Sequence, residues 1–341
     1  MRKNIPPTSS FSPAPADPPP SVRMLEGPHG TLAFRSYPAR KPWLHMVISH
    51  GFSEHLCWWD HVARELQEGG VSAYLFDHYH HGRSSGRRGD VSDYNVLCEG
   101  LLHVLEQVGA REMPAPDAPS GGGTPAPLVL LGHSNGGLVA LRAMKMLEER
   151  SLPVEVSALV LSSPLLGLPP LLEKMGMLLV NTVLRLVPWM HLPVASRPWR
   201  LTRDRRVWPR YYKDPLRFKT ITPRFLREMV GSYTLAHNGI TSLKKPLLYL
   251  TGECEKVVYP PAGRGWFEKL AAPEKNLVCY ERLNHELFNE PEWRAVLEDV
   301  LTWCSRVLGC RPADVEAPPG QGPTPEKKGG KARRSARGKR S

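Results

Sequence analysis

The chain has 341 residues, of which 41% are hydrophobic and 23% are charged, as in an ordinary soluble protein with one large domain. The net charge of +12 would suggest a nucleic-acid-binding protein, but the segment from Glu326 onward has eight basic residues and one acidic residue and supplies +7 of it. No RNA- or DNA-binding motif accompanies this segment, so we expect no specific nucleic-acid partner.

Both ends of the chain are predicted to be disordered. Residues 1–23 form a proline-rich leader with too few large apolar side chains to compensate for the entropy of ordering. Because prolines interrupt every apolar run in the leader, we expect no secretory signal and a cytoplasmic location. Residues 313–341 form a basic tail, which is either a solvated end or a contact with anionic membranes or nucleic acid.

Residues 24–312 have the pattern of an α/β domain with a mainly parallel central sheet flanked by helices. A hairpin is predicted around Gly27–Gly30, and short apolar runs alternate with helix-like segments after it. Each run has the length and composition of a buried parallel strand. The predicted strands cover residues 44–48, 71–76, 128–131, 158–161, 247–250 and 277–280.

Two insertions interrupt this alternation. Residues 114–127, which contain three consecutive glycines, are predicted to be a flexible surface loop. Residues 165–241 are predicted to be a mostly helical cap. Within the cap, residues 171–186 are apolar with three charged residues, and the stretch is shorter than the roughly 20 residues of a membrane-spanning helix. It is either a helix packed on the core or a lid that touches lipid surfaces.

The segment Gly132-His-Ser-Asn-Gly136 matches G-x-S-x-G, follows a predicted strand and opens a helix-like run over residues 137–149. A serine in such a turn has a strained backbone, and glycines two positions before and after it avoid a clash. This context predicts a nucleophile elbow with Ser134 as the nucleophile. The backbone N–H of Asn135 would stabilise an oxyanion, and the N–H of Phe52, in the loop after the first buried strand, is expected to be the second donor.

A serine hydroxyl needs an imidazole to take its proton and a carboxylate to orient that imidazole. His285 follows the last predicted strand, and the order serine, acid, histidine is that of α/β-hydrolases. Glu253 and Glu255 both follow the strand at 247–250, so these residues alone leave two candidates for the acid.

We expect no metal and no cofactor. The six cysteines are scattered without Cys-x-x-Cys spacing, in a chain too large to need disulfides, which indicates a reducing compartment and no zinc site. His78, His80 and His81 are near neighbours in a turn, and such residues rarely converge on one ion without further ligands. We expect them to shape the rim of the active site, with Asp77 capping the local backbone.

Three motifs resemble those of the monoacylglycerol lipase and lysophospholipase family of α/β-hydrolases, and the resemblance extends from about residue 26 to about residue 308. Residues 50–55 look like HGxxEH, residues 76–86 look like FDHRGHGxSxG, and residues 284–292 resemble the closing histidine segment. Three departures are Asn135 in place of methionine, Tyr79-His80 in place of Arg-Gly, and Glu255 in place of aspartate.

The resemblance implies an α/β-hydrolase fold and hydrolysis of the carboxylic ester of a long-chain acyl lipid, without cofactor, through an acyl-enzyme. It also favours Glu255 as the acid. A lipid substrate makes the cap and the basic tail candidate membrane contacts. A peptidase, thioesterase or acyltransferase stays an alternative, because the elbow does not select the leaving group. A non-catalytic protein that binds lipid or a partner is a further alternative.

Overall fold

Short runs whose residues are all buried form the centre of the sheet, as in β-strands covered by helices on both faces. The computed structural model describes residues 1–5, 18–113, 126–150, 152–183, 186–194 and 197–310. The strands described are β1 (Arg2–Lys3), β2 (Arg23–Gly27), β3 (Gly30–Tyr37), β4 (Leu44–Ser49), β5 (Val71–Phe76), β6 (Leu128–His133), β7 (Ala158–Ser162), β8 (Leu192–Pro193), β9 (Thr220–Ile221), β10 (Leu247–Gly252) and β11 (Lys275–Tyr280).

Nine of these strands form one sheet in the order β1-β11-β10-β7-β6-β4-β5-β3-β2. The β2–β3 and β3–β5 pairs are antiparallel, and the remaining pairs are parallel. All six predicted strands are present, and the predicted hairpin is the β2–β3 turn, where Gly27 pairs with Gly30. The prediction of a mainly parallel sheet is therefore confirmed.

Helices cover both faces of the sheet with two separate apolar cores. The core on one face includes side chains of α2 and α3, and the core on the other includes side chains of α1 and α9. The described helices are α1 (Asp60–Glu68), α2 (Asn95–Gln107), α3 (Asn135–Arg150), α4 (Pro170–Val183), α5 (Pro198–Leu201), α6 (Trp208–Lys213), α7 (Pro223–Gly239), α8 (Pro260–Lys269) and α9 (Trp293–Leu308), with 3₁₀-helices at Leu56–Trp58 and Leu287–Asn289 and a π-helix at Val108–Glu112.

The start of the chain differs from the predicted disordered leader. β1 is the edge strand and pairs with β11, whose Cys279 N–H donates to Met1 O at 2.9 Å, and Ile5 is 5% exposed. Without β1, β11 would offer unpaired backbone groups, which a short segment can satisfy whatever its own propensity. Residues 6–17 and the predicted basic tail at 313–341 lie outside the described residues, as does most of the predicted loop at 114–127.

The residues between β7 and β10 contain α4–α7 and the antiparallel β8–β9 pair. Ion pairs attach this segment to the sheet domain: Arg224 binds Asp90 with Nη2···Oδ2 at 2.5 Å, and Arg203 bonds to both Glu290 and Glu292. No helix within the described residues is both long enough and apolar enough to cross a membrane.

Three buried histidines pack together beside the end of β4. The ring centroid of His50 lies 4.6 Å from that of His78 and 5.3 Å from that of His81. Burial and the neighbouring imidazoles hold the pKa values of His50 and His78 well below 6.5, and burial lowers the pKa of His81 to about 4. The cluster is therefore uncharged at neutral pH.

We expect the free energy of unfolding to fall as the pH is lowered from 6.5 towards 4. The unfolded chain binds protons on its histidines below pH 6.5, whereas native His81 binds one only near pH 4, so stability is fully present above 6.5 and is lost as the pH falls. The loss is about 2 kcal/mol per such histidine between pH 6.5 and pH 5. Urea unfolding at pH 7 and pH 5 measures it.

The matched variant is His81→Asn, whose amide can keep the donor that His81 Nδ1 presents to Tyr79 O at 3.0 Å. Between pH 7 and pH 5, its free energy of unfolding should fall by less than that of the wild type. The difference should equal the contribution of one histidine. An equal dependence in the two proteins would contradict this account of His81.

Candidate active site

Ser134 lies at the turn from β6 to α3 with a left-handed backbone, φ 53°. Its N–H donates to Ser162 O at 2.9 Å, and its carbonyl oxygen accepts bonds from the N–H groups of Gly137 and Leu165. A Cβ atom on Gly136 would lie 2.2 Å from Ser49 O, so only glycine permits the close approach of α3 to β4. The sequence-predicted elbow is thus present, and the Ser134 side chain is held in a strained turn.

His285 and Glu255 form a buried hydrogen-bonded pair, with His285 Nδ1 2.6 Å from Glu255 Oε2. The second carboxylate oxygen, Oε1, accepts the N–H groups of Val257 at 2.6 Å and Val258 at 3.2 Å. His285 is 3% exposed and Glu255 is 8% exposed. The carboxylate is therefore fixed on both oxygens and can hold the imidazole in one orientation.

The alternative acid, Glu253, lies elsewhere. Its side chain is 40% exposed and pairs with Arg2 at 3.4 Å. Glu255 is thus the carboxylate that contacts His285, and Glu253 faces the chain start, whose position the sequence did not predict.

The His285 ring also lies beside the elbow, because its centroid is 5.0 Å from that of His133, the residue before Ser134. His133 Nδ1 donates to Ser162 O at 3.1 Å. Burial and the charge of His285 lower the pKa of His133 to about 3, so His133 is a neutral packing partner of the imidazole.

Burial and the Glu255 carboxylate oppose each other at His285. Burial lowers the pKa of His285, but the charge and hydrogen bond of Glu255 outweigh burial and raise it above 6.5. Burial likewise raises the pKa of Glu255, and the contact with His285 together with the two backbone N–H groups outweighs it and lowers that pKa. The pair therefore favours an ionised carboxylate and stabilises the imidazolium that forms when a proton is taken from serine.

The two predicted oxyanion donors have backbone N–H groups without an acceptor among the described residues. Phe52 is held by packing of its ring against Phe218 at 4.9 Å, and the following residue, Ser53, has a left-handed backbone. Glu54 Oε2 fixes the same loop by accepting the Gly51 N–H at 3.0 Å. Asn135 opens α3, where unpaired N–H groups are directed out of the helix end.

Sequence reasoning missed a group of buried polar side chains next to His285. Tyr211, from α6, donates a hydrogen bond to Glu286, and Asn289 Nδ2 donates to the same carboxylate at 2.9 Å. Burial and the charge of Glu54 raise the pKa of Glu286. Glu54 lies in the motif at residues 50–55 and could have been flagged, whereas nothing in the local sequence singles out Tyr211.

The predicted role of the His78–His81 turn is met in part. Asp77 does cap backbone, accepting the N–H groups of Leu56 at 2.6 Å and Arg83 at 2.7 Å. His81 is fully buried, with its ring against Phe218 at 4.9 Å, so it lies beneath the surface instead of at a rim. Among the described residues, no group of three or more histidine, cysteine, aspartate or glutamate side chains is arranged to hold a metal ion.

The chain is similar to known hydrolases over most of its length. The family model described as serine aminopeptidase, S33, matches residues 40–292. The monoacylglycerol lipase of Mycolicibacterium smegmatis is 29% identical over 264 residues, which cover 76% of this chain and 86% of that protein. The monoglyceride lipase of Rattus norvegicus is 28% identical over 284 residues, which cover 80% of this chain and 87% of that protein.

Among solved structures, a soluble variant of monoglyceride lipase from Saccharomyces cerevisiae in complex with a substrate analogue superimposes with a TM-score of 0.72 and 18% identity. The match covers 86% of this chain and 99% of that one. The predicted α/β-hydrolase fold and the resemblance to monoacylglycerol lipases are thereby confirmed.

The two glutamates after β10 make a matched test of the acid. We expect Glu255→Gln to lower kcat/KM at least a hundredfold. We also expect the acid limb of its pH–rate profile to move to lower pH, because the neutral amide no longer raises the pKa of His285. In the wild type, His285 can act as the base only when it is unprotonated. Because its pKa is raised above 6.5, activity should already begin to fall at a pH above 6.5. Ester hydrolysis measured from pH 5 to 9 gives both quantities.

The control is Glu253→Gln, which removes an exposed carboxylate of the same loop. Its rate and acid limb should match those of the wild type. A large loss in Glu253→Gln with none in Glu255→Gln would reverse the assignment.

Proposed function

The chain belongs to the serine aminopeptidase, S33, family, and we propose that it is a serine hydrolase that cleaves the carboxylic ester of a long-chain acyl lipid, a monoacylglycerol or a lysophospholipid. The observation that carries this proposal is the 2.6 Å bond of His285 to Glu255 beside the strained turn of Ser134. These groups supply a nucleophile, a base and an orienting acid in the order found in α/β-hydrolases.

In the proposed mechanism, His285 takes the proton of the Ser134 hydroxyl as its oxygen attacks the acyl carbon. The N–H groups of Phe52 and Asn135 bind the oxyanion of the tetrahedral intermediate, and Glu255 stabilises the imidazolium. His285 then donates its proton to the leaving alcohol, which gives an acyl-enzyme. Water attacks the acyl-enzyme with His285 again as the base, and the fatty acid is released.

The choice of an acyl lipid rests on the relatives and on α4. The relatives with 28–29% identity are named as lipases of monoacylglycerols. On α4 the side chains of Leu171, Met175 and Leu178 are 72%, 62% and 66% exposed. Large apolar side chains exposed together along one helix are typical of a surface that meets lipid or another apolar partner.

We expect Ser134→Ala to abolish release of fatty acid from monoacylglycerol and lysophospholipid while the protein stays folded, since alanine removes the nucleophile and little packing volume. Ser305→Ala, on α9, is the matched control and should keep full activity. A fluorophosphonate probe should label the wild type and the control but not Ser134→Ala. Undiminished hydrolysis by Ser134→Ala would refute the proposal.

A second candidate function is hydrolysis of a peptide, which the family description favours because it names an aminopeptidase. The proposed catalytic residues would act on an amide in the same way, because the nucleophile elbow does not distinguish an amine leaving group from an alcohol. Wild type and Ser134→Ala are to be compared on monoacylglycerol and on aminoacyl anilides. Serine-dependent release from the anilides alone would replace the lipase proposal with this one.

The segment at residues 165–241 is proposed to be a lid whose α4 contacts membranes, with the basic tail as a second, electrostatic contact. We expect Met175→Lys to weaken sedimentation with phosphatidylcholine vesicles and to slow hydrolysis of vesicle-borne monoacylglycerol at least threefold, because a charge on α4 resists transfer into lipid. Hydrolysis of a water-soluble short-chain ester should be unchanged.

Met24→Lys is the control, because Met24 is also an exposed methionine, 47% exposed, but lies on β2 at the far edge of the sheet. Equal vesicle binding by both variants and the wild type would contradict the role given to α4.

A further inference from the structure

The loop that carries His285 is hydrogen-bonded, on both sides of this residue, to the segment inserted between β7 and β10. Before it, Asn284 Nδ2 donates to Trp199 O at 3.1 Å. After it, the backbone N–H of Glu286 donates to Leu201 O at 2.8 Å. Both acceptors are backbone oxygens of α5, so α5 holds the two residues that flank His285.

The same contact extends along the loop. Thr202 Oγ1 donates to Asn289 O at 2.7 Å, and Arg203 Nε donates to Glu290 Oε2 at 3.1 Å. Glu290 in turn accepts the backbone N–H of Asn284 at 2.8 Å through its other oxygen, Oε1. The inserted segment therefore holds the loop from Asn284 to Glu290.

Tyr211 and Glu286 supply a buried side-chain bond within this contact. Tyr211, on α6, donates its hydroxyl to Glu286 Oε2, and Asn289 Nδ2 donates to the same oxygen at 2.9 Å. The side chains of Tyr211 and Glu286 are both buried. A buried hydroxyl or carboxylate is costly to leave unpaired, so each of these two groups fixes the position of the other.

Aromatic packing holds Tyr211 in one place. Its ring centroid lies 4.6 Å from that of Trp58, which follows the loop that carries Phe52. The guanidinium of Arg217 lies over both rings, 4.6 Å from the centroid of Tyr211 and 4.7 Å from that of Trp58. Tyr211 is therefore a fixed point between the loop after β4 and the loop that carries His285.

The side chain of His285 has few contacts of its own. Its Nδ1 is bonded to Glu255, and its ring packs against that of His133. These contacts orient the ring, whereas the position of its backbone depends on the neighbouring residues of the loop. A displacement of about 1 Å in a catalytic group can cost about a hundredfold in rate. The bonds between the loop and the inserted segment therefore matter for the proton transfer.

We propose that Glu286 is a positioning residue, whose bonds to Tyr211 and Leu201 join the loop of the base to the inserted segment and keep the imidazole of His285 within reach of Ser134. Glu286 acts through His285 and takes no part in the proton transfer. This inference rests on the proposed function, in which His285 is the base. It gives the inserted segment a role in the chemical step, because α6 must be docked for the base to be in place.

Two substitutions of Glu286 in the full chain test this role. Glu286→Leu removes the acceptor, so kcat for monoacylglycerol should fall at least about thirtyfold while KM changes less than about threefold, since the substrate still binds. Glu286→Gln is the matched variant, because both donors bind one oxygen and the amide oxygen of glutamine can accept both. Its kcat should stay within about threefold of the wild type. Equal losses of kcat in the two variants would overturn the proposal.

Tyr211→Phe removes the hydroxyl and leaves the ring packed against Trp58. Its kcat should fall about tenfold at unchanged KM, whereas Tyr212→Phe, which alters an exposed tyrosine of the same helix, should keep the wild-type kcat. Adding Tyr211→Phe to Glu286→Leu should lower kcat by less than about a further twofold, because the acceptor is already absent. A wild-type kcat in Tyr211→Phe would overturn the role given to α6.

The position of His285 can also be observed without a substrate. The proton on its Nδ1, in the 2.6 Å hydrogen bond to Glu255, should give a far-downfield ¹H NMR signal that is absent from His285→Gln. In Tyr211→Phe and Glu286→Leu this signal should shift or broaden, and in Tyr212→Phe it should not. An unchanged signal in all three variants would show that the imidazole has not moved and would overturn the proposal.

The outcomes separate this inference from the proposed function. If Ser134→Ala hydrolyses lipid esters as fast as the wild type, the proposed function fails, and the NMR signal decides whether Glu286 positions His285. If hydrolysis requires Ser134 and Glu286→Leu keeps the wild-type kcat, the positioning role alone is refuted.

Discussion

The left-handed backbone of Ser134 is the constraint on which the rest of the site depends. Such a conformation costs roughly 1–2 kcal/mol for a residue with a side chain and persists only where its surroundings fix it. Here Ser162 and Leu165 bond to the backbone of Ser134, and Gly136 lets α3 approach the end of β4. The same close approach brings the loop that carries Phe52 to the start of α3, so the proposed nucleophile and the proposed second oxyanion donor are positioned by one contact.

Charge around the elbow is confined to few groups. The histidines that pack nearest, His133 beside His285 and His50 at the end of β4, have pKa values lowered by burial and are neutral at pH 7. Opposite charges with few competing neighbours interact strongly, because the buried surroundings screen them poorly. The ion pair of Glu255 and His285 can therefore decide the protonation state of the imidazole, and neutral His133 offers it packing without a competing charge.

The sequence predicted the elements whose signal is local and missed those set by distant contacts. Each central strand was found because its residues are mostly apolar, and the turn at Ser134 was found because G-x-S-x-G requires a strand before it and a helix after it. β1 was missed because Arg2 and Lys3 have no strand pattern, and distant contacts with β11, Glu253 and Asp299 hold them. The choice between two glutamates was open for the same reason: the direction of each depends on where Arg2 and His285 lie in the fold.

Two of the three departures from the family pattern, Glu255 and Asn135, are accommodated by specific contacts. Glutamate is one methylene longer than the aspartate it replaces, and at Glu255 the added reach lets one oxygen bind the Val257 and Val258 N–H groups while the other binds His285. A freely rotating glutamate would orient an imidazole poorly, so these two backbone bonds make the substitution compatible with catalysis. Asn135 replaces an apolar methionine, and the Tyr94 hydroxyl satisfies its buried amide oxygen at 2.8 Å. That bond holds the side chain of Asn135, the residue whose N–H opens α3 and is a proposed oxyanion donor.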